Sequence, residues 1–212
     1  MAEWGECDTI RGRYTHKFFS MTYEAKTFDI PELDGISQES IDLHLGLYQG
    51  YVKHVNLIRD KIAAFENDPE NNAYAIAEMQ RRLGFEFGGM RNHEYYFSQF
   101  EGGAKALPAG KVQELIDQQW GSFEAWHTRF TTLAKTRGVG WAMLYYDRQS
   151  DQLVQTWVDE QHLGQLADLD IVLALDMWEH SFMRDYLPAD KGQYIDAFFK
   201  NLNWEVVAAR VA

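Results

Sequence analysis

The five residues Asp176-Met177-Trp178-Glu179-His180 place a carboxylate and an imidazole four positions apart. On a helix, side chains at positions i and i+4 face the same way, so Asp176 and His180 would converge on one point if this stretch is helical. One oxygen ligand and one nitrogen ligand suit a redox metal such as iron or manganese better than a structural zinc. An isolated pair with this spacing is more often a helix cap followed by an unrelated histidine.

Two histidines far upstream, His44 and His93, favour the metal site. Each lies in the middle of a long predicted helix and is followed by aromatic residues. Two facing helices can present one imidazole each to a shared point. A lone histidine on a helix is more often structural than a ligand, and we predict that His54 and His127 lie on solvated helix faces.

The first of these helices is predicted to begin after Ser37, a capping residue, and to continue to about Phe65. Leucine, tyrosine and valine recur along it at helical spacing. The polar stretch at 67–72 breaks the pattern, and a second helix is predicted from about Tyr74 to Phe100. Two long helices with a short break between them predict an antiparallel hairpin.

A glycine- and proline-containing loop near 102–110 separates this hairpin from a mixed C-terminal region. There the pattern predicts helices near 111–119 and 122–135, strands at 141–146, 153–158 and 171–175, and helices near 178–186 and 190–200. The fold class is therefore α+β. We predict an extension over residues 1–24, a helical-hairpin domain over 25–105 and a C-terminal α/β domain over 106–212.

Composition excludes several classes of function. The 212 residues carry a formal net charge of -12, which argues against nonspecific binding to nucleic acid. No apolar run approaches the ~18 residues of a membrane span, and the N-terminus lacks a signal-peptide pattern. The single cysteine, Cys7, excludes an internal disulfide and favours a reducing, cytoplasmic location. The sequence also contains none of the common phosphate-binding, dinucleotide-binding or serine-hydrolase motifs.

Several motifs together resemble one family. The sequence Asp176 to His180 is similar to the D-x-W-E-H signature of the iron/manganese superoxide dismutases, and the resemblance covers roughly residues 25 to 207. Further similar motifs are Asn92-His93, Gly140-Trp141, Tyr194-Ile195-Asp196-Ala197-Phe198 and Asn203-Trp204. The resemblance implies a three-stranded antiparallel sheet in the C-terminal domain. It also implies that each subunit binds one metal ion between the domains and converts superoxide to dioxygen and hydrogen peroxide at this metal. The implied ligands are His44, His93, Asp176 and His180.

The resemblance also implies residues around the metal. In the family a glutamine hydrogen-bonds the metal-bound solvent, and here the second helix offers only Gly89 at the position that iron enzymes often use. The position used by manganese enzymes matches Gln161, with His162 as the neighbouring alternative, so manganese is favoured and iron stays open. Trp141 and Trp178 resemble the aromatic shell, and Tyr51 resembles the tyrosine at the entrance.

Some positions depart from the family pattern. The family has one more residue between the first histidine ligand and the entrance tyrosine, and the shorter spacing of His44 and Tyr51 predicts a first helix without a π-bulge. Tyr48 and Met183 replace a histidine–tyrosine pair that joins subunits in the family, and Lys191 replaces an arginine at the entrance. Glu179 is retained, and the resemblance implies that it reaches the partner subunit's ligand histidine in a homodimer or a dimer of dimers.

Two other functions are compatible with parts of this pattern. A mononuclear iron oxygenase would use two histidines and one carboxylate, but the fourth ligand argues against the open positions that such a site needs. An inactive metal-binding paralogue on the same fold is the second alternative, and the altered spacing and Met183 are the features that favour it.

Overall fold

Two long antiparallel helices form the N-terminal half of the chain in the computed structural model, which describes residues 22–211. Helix α1 is Gln38–Phe65 and helix α2 is Pro69–Ser98. The Ser37 side chain accepts the backbone N–H of Ser40, so the predicted cap is confirmed. Helix α2 begins five residues earlier than predicted, because proline fits the first turn of a helix, where its missing N–H costs nothing. Most of the predicted extension, residues 1–21, lies outside the described residues.

Helix α1 is α-helical along its whole length, with no π-helical residue between positions 38 and 65. This confirms the prediction made from the short spacing of His44 and Tyr51. Seven residues are close to two full helical turns, so both side chains leave α1 on the same face. Both therefore point toward α2 and the C-terminal half.

The C-terminal half combines four helices with one sheet. Strands β1, β2 and β3 are Gly140–Asp147, Gln152–Asp159 and Asp170–Asp176, and they form an antiparallel sheet in the order β2-β1-β3. The helices are α3 (Lys111–Trp120), α4 (Phe123–Ala134), α5 (Lys191–Asn201) and α6 (Trp204–Ala208). The predicted α+β class and three-stranded sheet are confirmed, whereas α6 was not predicted.

The segment after β3 differs from the prediction. Asp176 is the last residue of β3, and His180 lies in a three-residue 3-10 helix, Glu179–Ser181, so the predicted helix over 178–186 is wrong. The Ser181 hydroxyl contacts the carbonyl oxygens of Asp176 at 3.0 Å and Trp178 at 2.6 Å, which stabilises a tight turn in place of a regular helix. Asp176 and His180 therefore converge across the end of a strand, not along a helix face.

The two halves pack against each other through α2 and β3. The Gln99 side chain on the C-terminal side of α2 donates to the carbonyl of Ala174 at 2.9 Å and accepts the N–H of the same residue at 2.8 Å. Residue Trp141 at the start of β1 pairs with Asp176 in the register of the sheet. One end of the sheet thus lies against the C-terminal part of α2, near the start of α1. Among the described helices, none is both long and apolar enough to cross a membrane.

Candidate metal centre

Three imidazoles and one carboxylate meet where the hairpin contacts the end of the sheet. The Oδ2 atom of Asp176 lies 3.1 Å from Nε2 of His44, 3.6 Å from Nε2 of His93 and 3.2 Å from Nε2 of His180. One ligand atom from each residue lies within 4.8 Å of every other. The structure therefore brings together all four residues that were predicted as ligands, from α1, α2, β3 and the 3-10 helix.

Burial sets the charges in this cluster. It lowers the pKa of His44 and of His93, and repulsion by the His44 imidazole contributes to a pKa of about 3 in His93. For Asp176 burial acts in the opposite sense, but the neighbouring His180 and His44 outweigh it and hold the pKa below the usual range. At neutral pH the cluster thus offers uncharged imidazole nitrogens from His44 and His93 beside the ionised carboxylate of Asp176.

Hydrogen bonds with the backbone orient two of the candidate metal ligands, His93 and Asp176. The Nδ1 atom of His93 lies 2.6 Å from the carbonyl oxygen of Gly89, which places the proton on Nδ1 and the lone pair on Nε2. The other carboxylate oxygen of Asp176 accepts the N–H of Trp178 at 2.8 Å. The Nε2 atom of His93 is buried and has no hydrogen-bond partner. A metal ion at this point would satisfy that lone pair, so the residues present fit a bound metal.

A buried glutamine connects two aromatic residues beside the cluster. The Trp141 indole N–H donates to Oε1 of Gln161 at 3.0 Å, and Nε2 of Gln161 donates to the Tyr51 hydroxyl at 2.9 Å. The Tyr51 ring lies against the His93 imidazole with 5.1 Å between centroids. The His162 ring instead packs on Phe85, 5.9 Å between centroids, and its Nδ1 has no partner. Of Gln161 and His162, it is Gln161 that hydrogen-bonds Trp141 and Tyr51 beside the cluster.

Asn92, named above as part of a motif but given no role at the site, and Gly88 hold Gln161 in place. The Asn92 amide donates to the backbone carbonyl of Gln161 at 2.9 Å, and a Cβ atom on Gly88 would lie only 2.2 Å from that same oxygen. The close approach of α2 to this loop therefore requires glycine at position 88. The position of Asn92 directly before the candidate ligand His93 was the one available sequence signal.

The two tryptophans cover different sides of the cluster. Trp141 is fully buried and meets His93 edge to face at 5.1 Å. Trp178 is half-buried and stacks on His180 at 5.7 Å, and its indole N–H donates to the carbonyl of Glu160 at 3.0 Å. Together the rings restrict the access of water to the imidazoles.

Glu179 lies outside the cluster of its own chain. The residue is exposed, and within residues 22–211 its carboxylate has no ion-pair partner. Met183, one turn further on, is 49% exposed. This part of the surface therefore presents an unpaired carboxylate next to an apolar side chain.

Tyr48 faces the interior of its own chain. Its side chain is fully buried, and its hydroxyl accepts the backbone N–H of Lys26 at 2.8 Å and lies 3.3 Å from Oε1 of Glu94. The Tyr48 side chain thus makes its contacts within its own chain.

The Lys191 side chain also makes its hydrogen bonds within the chain. Its Nζ donates to the carbonyl oxygens of Lys135 and Thr136, both at 3.0 Å, at the end of α4.

The two histidines that were predicted to be solvated, His54 and His127, differ in their exposure. His54 is exposed on α1, as predicted, and lies 3.7 Å from a carboxylate oxygen of Glu86. The prediction for His127 is wrong, because its half-buried ring packs against Phe199 with 4.3 Å between centroids. Burial accordingly lowers the pKa of His127.

A family model and individual known proteins that resemble the chain all indicate the same family. Residues 108–210 match the family model described as iron/manganese superoxide dismutases, C-terminal domain. The chain is 34% identical over 182 residues to an iron superoxide dismutase of Pyrobaculum aerophilum, covering 83% of this chain and 84% of the relative. It is 35% identical over 178 residues to manganese superoxide dismutase 2 of Haloferax volcanii, covering 82% and 86% respectively. An iron superoxide dismutase of Cupriavidus metallidurans is 32% identical over 197 residues, with 91% and 98% covered.

Proposed function

The chain belongs to the iron/manganese superoxide dismutases, and we propose that it disproportionates superoxide to dioxygen and hydrogen peroxide. The observation that carries this proposal is the convergence of three imidazoles and one carboxylate, from both halves of the chain, on one buried point. In the proposal His44, His93, Asp176 and His180 hold a single manganese or iron ion. Two superoxide anions and two protons give one dioxygen and one hydrogen peroxide.

When bound, the metal supplies a one-electron couple that accepts an electron from one superoxide and returns it to the next. The chain's own residues prepare the site for an anionic substrate. Three uncharged imidazoles and one carboxylate neutralise only part of the charge of a divalent or trivalent cation, so the site attracts anions. The neutral state of His93 in particular follows from its burial.

Tyr51 and Gln161 are proposed to control protons next to the metal. Burial raises the pKa of the Tyr51 hydroxyl, and the carboxylates of Asp176 and Glu86 raise it further. The phenol therefore stays protonated at neutral pH and can donate a hydrogen bond. The Gln161 amide is held between this phenol and the Trp141 indole, which fixes the direction of its N–H group.

We favour manganese as the metal and keep iron as the alternative. The support is that the glutamine beside the cluster comes from the loop after β2, whereas α2 carries Gly89 at the position used by many iron enzymes. Both iron and manganese enzymes occur among the similar proteins. The test compares the rate of superoxide decay per bound metal for the manganese and iron forms, and a faster iron form would overturn the preference.

Loading of the full chain with manganese or iron tests the proposed activity. We expect about one metal ion per chain and a superoxide decay rate proportional to the bound metal. The variant His93→Ala should lose both, whereas His54→Ala should lose neither, because His54 is exposed and outside the cluster. Stoichiometric metal without superoxide turnover would identify the chain as an inactive metal-binding member of the family.

We further propose that the active form is a homodimer or a dimer of dimers in which Glu179 contacts the partner subunit. In support, Glu179 is exposed without an ion pair in the described chain, and Leu43, Leu47 and Met183 expose apolar side chains. Glu179→Gln should weaken the dimer in sedimentation equilibrium relative to Glu32→Gln, which changes an exposed glutamate outside the 3-10 helix. A wild-type chain that sediments as a monomer when metal-loaded and active would refute this assembly.

We also propose a cytoplasmic location. The support is the single cysteine of the sequence, which leaves the chain without an internal disulfide. Fractionation of the source cells, with antibody detection of the chain, tests the location, and recovery with secreted proteins would contradict it.

A further inference from the structure

A positively charged cavity lies on the side of α2 that faces away from the candidate metal centre. It has a volume of about 290 Å³ and is lined by Lys26, Arg91, Glu94, Tyr95, Ser98 and Arg210. None of these six residues belongs to the cluster of candidate metal ligands. The cavity is formed where the segment before α1 and the segment after α6 both approach α2.

Arg210 is held in the cavity wall by neutral groups alone. Its guanidinium donates to the carbonyl oxygens of Val172 at 2.8 Å and Tyr95 at 3.0 Å and to the Ser98 hydroxyl at 2.8 Å. It also lies over the Tyr95 ring, 4.9 Å from the centroid. Within residues 22–211, no carboxylate pairs with it. Burial lowers the pKa of Arg210 to about 10, which shows that its charge is held at a cost.

Glu94 supplies the one carboxylate among the lining residues within 22–211, and the other two basic side chains already share it. Oε2 of Glu94 lies 2.9 Å from Nζ of Lys26 and 2.7 Å from NH1 of Arg91. Among the described lining residues, three basic side chains thus face a single acidic one, which leaves an excess of two positive charges. This excess occurs in a chain whose net charge is -12, so it opposes the overall charge of the molecule.

We propose that this cavity binds a small phosphate-class oxoanion, either inorganic phosphate or the head of a phosphate monoester. Guanidinium and ammonium groups are the side chains that proteins use for phosphate oxygens, and each forms charge-assisted hydrogen bonds with them. A dianion balances the two excess charges of the cavity. The binding site is separate from the metal cluster, so it does not depend on the proposed superoxide chemistry.

Binding at this site should stabilise the folded chain, since the ligand recognises an arrangement that the unfolded chain lacks. The anion would contact Lys26 before α1 and Arg91 within α2. Arg210 after α6 would attract it through its charge, because both terminal nitrogens of its guanidinium already donate to Gln99, Val172, Tyr95 and Ser98. We expect it to hold these segments together. Stabilisation should therefore saturate with phosphate concentration, which a general salt effect does not do.

Thermal unfolding of the metal-loaded full chain tests the proposal. Sodium phosphate should raise the midpoint by several degrees beyond sodium chloride at equal ionic strength, with a saturating dependence on concentration. Lys26→Gln should weaken the apparent affinity about tenfold, the loss expected for one charge-assisted hydrogen bond. Lys200→Gln is the matched control, because Lys200 pairs with Asp34 outside the cavity and should bind phosphate like the wild type.

Two further measurements complete the test. Phosphorus NMR of inorganic phosphate should show line broadening by the wild-type chain that Lys26→Gln reduces, and glycerol 3-phosphate tested in the same way separates the two sources of the oxoanion. Competition between them is expected if both use the cavity. The proposal is overturned if phosphate stabilises no more than chloride, or if Lys26→Gln and Lys200→Gln respond alike.

Discussion

The aromatic ring of Tyr51 occupies the space that a side chain at position 89 would fill. A Cβ atom added to Gly89 would lie 2.5 Å from Cδ1 and 2.6 Å from Cε1 of Tyr51. Real Cβ atoms essentially never come this close to a neighbour, so the two helices can pack in this way only with glycine on α2. The short spacing of His44 and Tyr51 along α1 is what directs the ring to this place. Gly89 thus positions Tyr51 against His93.

Substitution of Gly89 by alanine should therefore destabilise the chain. The overpacked ring would have to move, at a cost of about 1–3 kcal/mol. Gly46→Ala on α1 is the matched control, because nothing lies within 4 Å of a Cβ atom there. Removal of a helical glycine from an open position should stabilise by ~0.5–1 kcal/mol. Urea unfolding of the metal-free variants measures both effects, and equal stabilisation by the two substitutions would contradict this packing.

Because Gln161 makes buried hydrogen bonds beside the cluster, we expect its substitution to have a larger effect than substitution of the neighbouring His162. Gln161→Leu would leave the Trp141 indole N–H and the Tyr51 hydroxyl without their buried partner, at a cost of about 1–3 kcal/mol. We expect superoxide turnover per bound metal to fall as well. His162→Ala, which removes a ring packed on Phe85, should retain turnover.

Metal content and superoxide decay, measured on both variants after the same manganese loading, check this prediction. If His162→Ala lost turnover and Gln161→Leu retained it, His162 would be the residue that supports turnover, and the prediction would be contradicted.

The sequence predicted the four clustered residues but not the local structure that brings them together. Asp176 and His180 were expected on one helix face, whereas they meet across the end of β3, since residue spacing alone does not distinguish a helix from a strand followed by a turn. Nor did the sequence predict what the glycines of α2 do. At Gly88 and Gly89 the Gln161 carbonyl and the Tyr51 ring come so close to the backbone that a side chain would not fit.

Long-range polar contacts were also beyond the reach of the sequence. The pairing of Tyr48 with Lys26 and Glu94 depends on how a segment before α1 lies across the hairpin, and no local pattern encodes that path. The cap at Ser37 was predicted correctly, because capping involves residues only a few positions apart, and Ser122 caps α4 in the same way.

The buried hydroxyl of Tyr48 predicts a loss of stability at alkaline pH. Burial raises its pKa to about 12, the N–H of Lys26 opposes the rise, and the Glu94 carboxylate adds to it. Because the unfolded tyrosine has a pKa of 10.0, the folded chain keeps this proton when the unfolded chain loses it. The stabilising contribution is therefore complete below pH ~10 and declines as the pH rises toward the folded value.

Unfolding free energy measured across this alkaline range should fall less steeply in Tyr48→Phe than in the wild type. Tyr74→Phe is the control, because Tyr74 is 81% exposed and should leave the slope unchanged. Identical slopes for wild type and Tyr48→Phe would show that the Tyr48 hydroxyl ionises in the folded chain as it does in water.

The central claim is that one cluster of four side chains holds a redox metal that disproportionates superoxide. Stopped-flow decay of superoxide, recorded for the manganese-loaded wild type, His54→Ala and His93→Ala with bound metal quantified in each sample, tests it most directly. We expect fast decay in proportion to bound metal for the wild type and His54→Ala, and loss of metal and decay together in His93→Ala. A wild-type chain that binds one metal ion and leaves superoxide to decay at its spontaneous rate would contradict it.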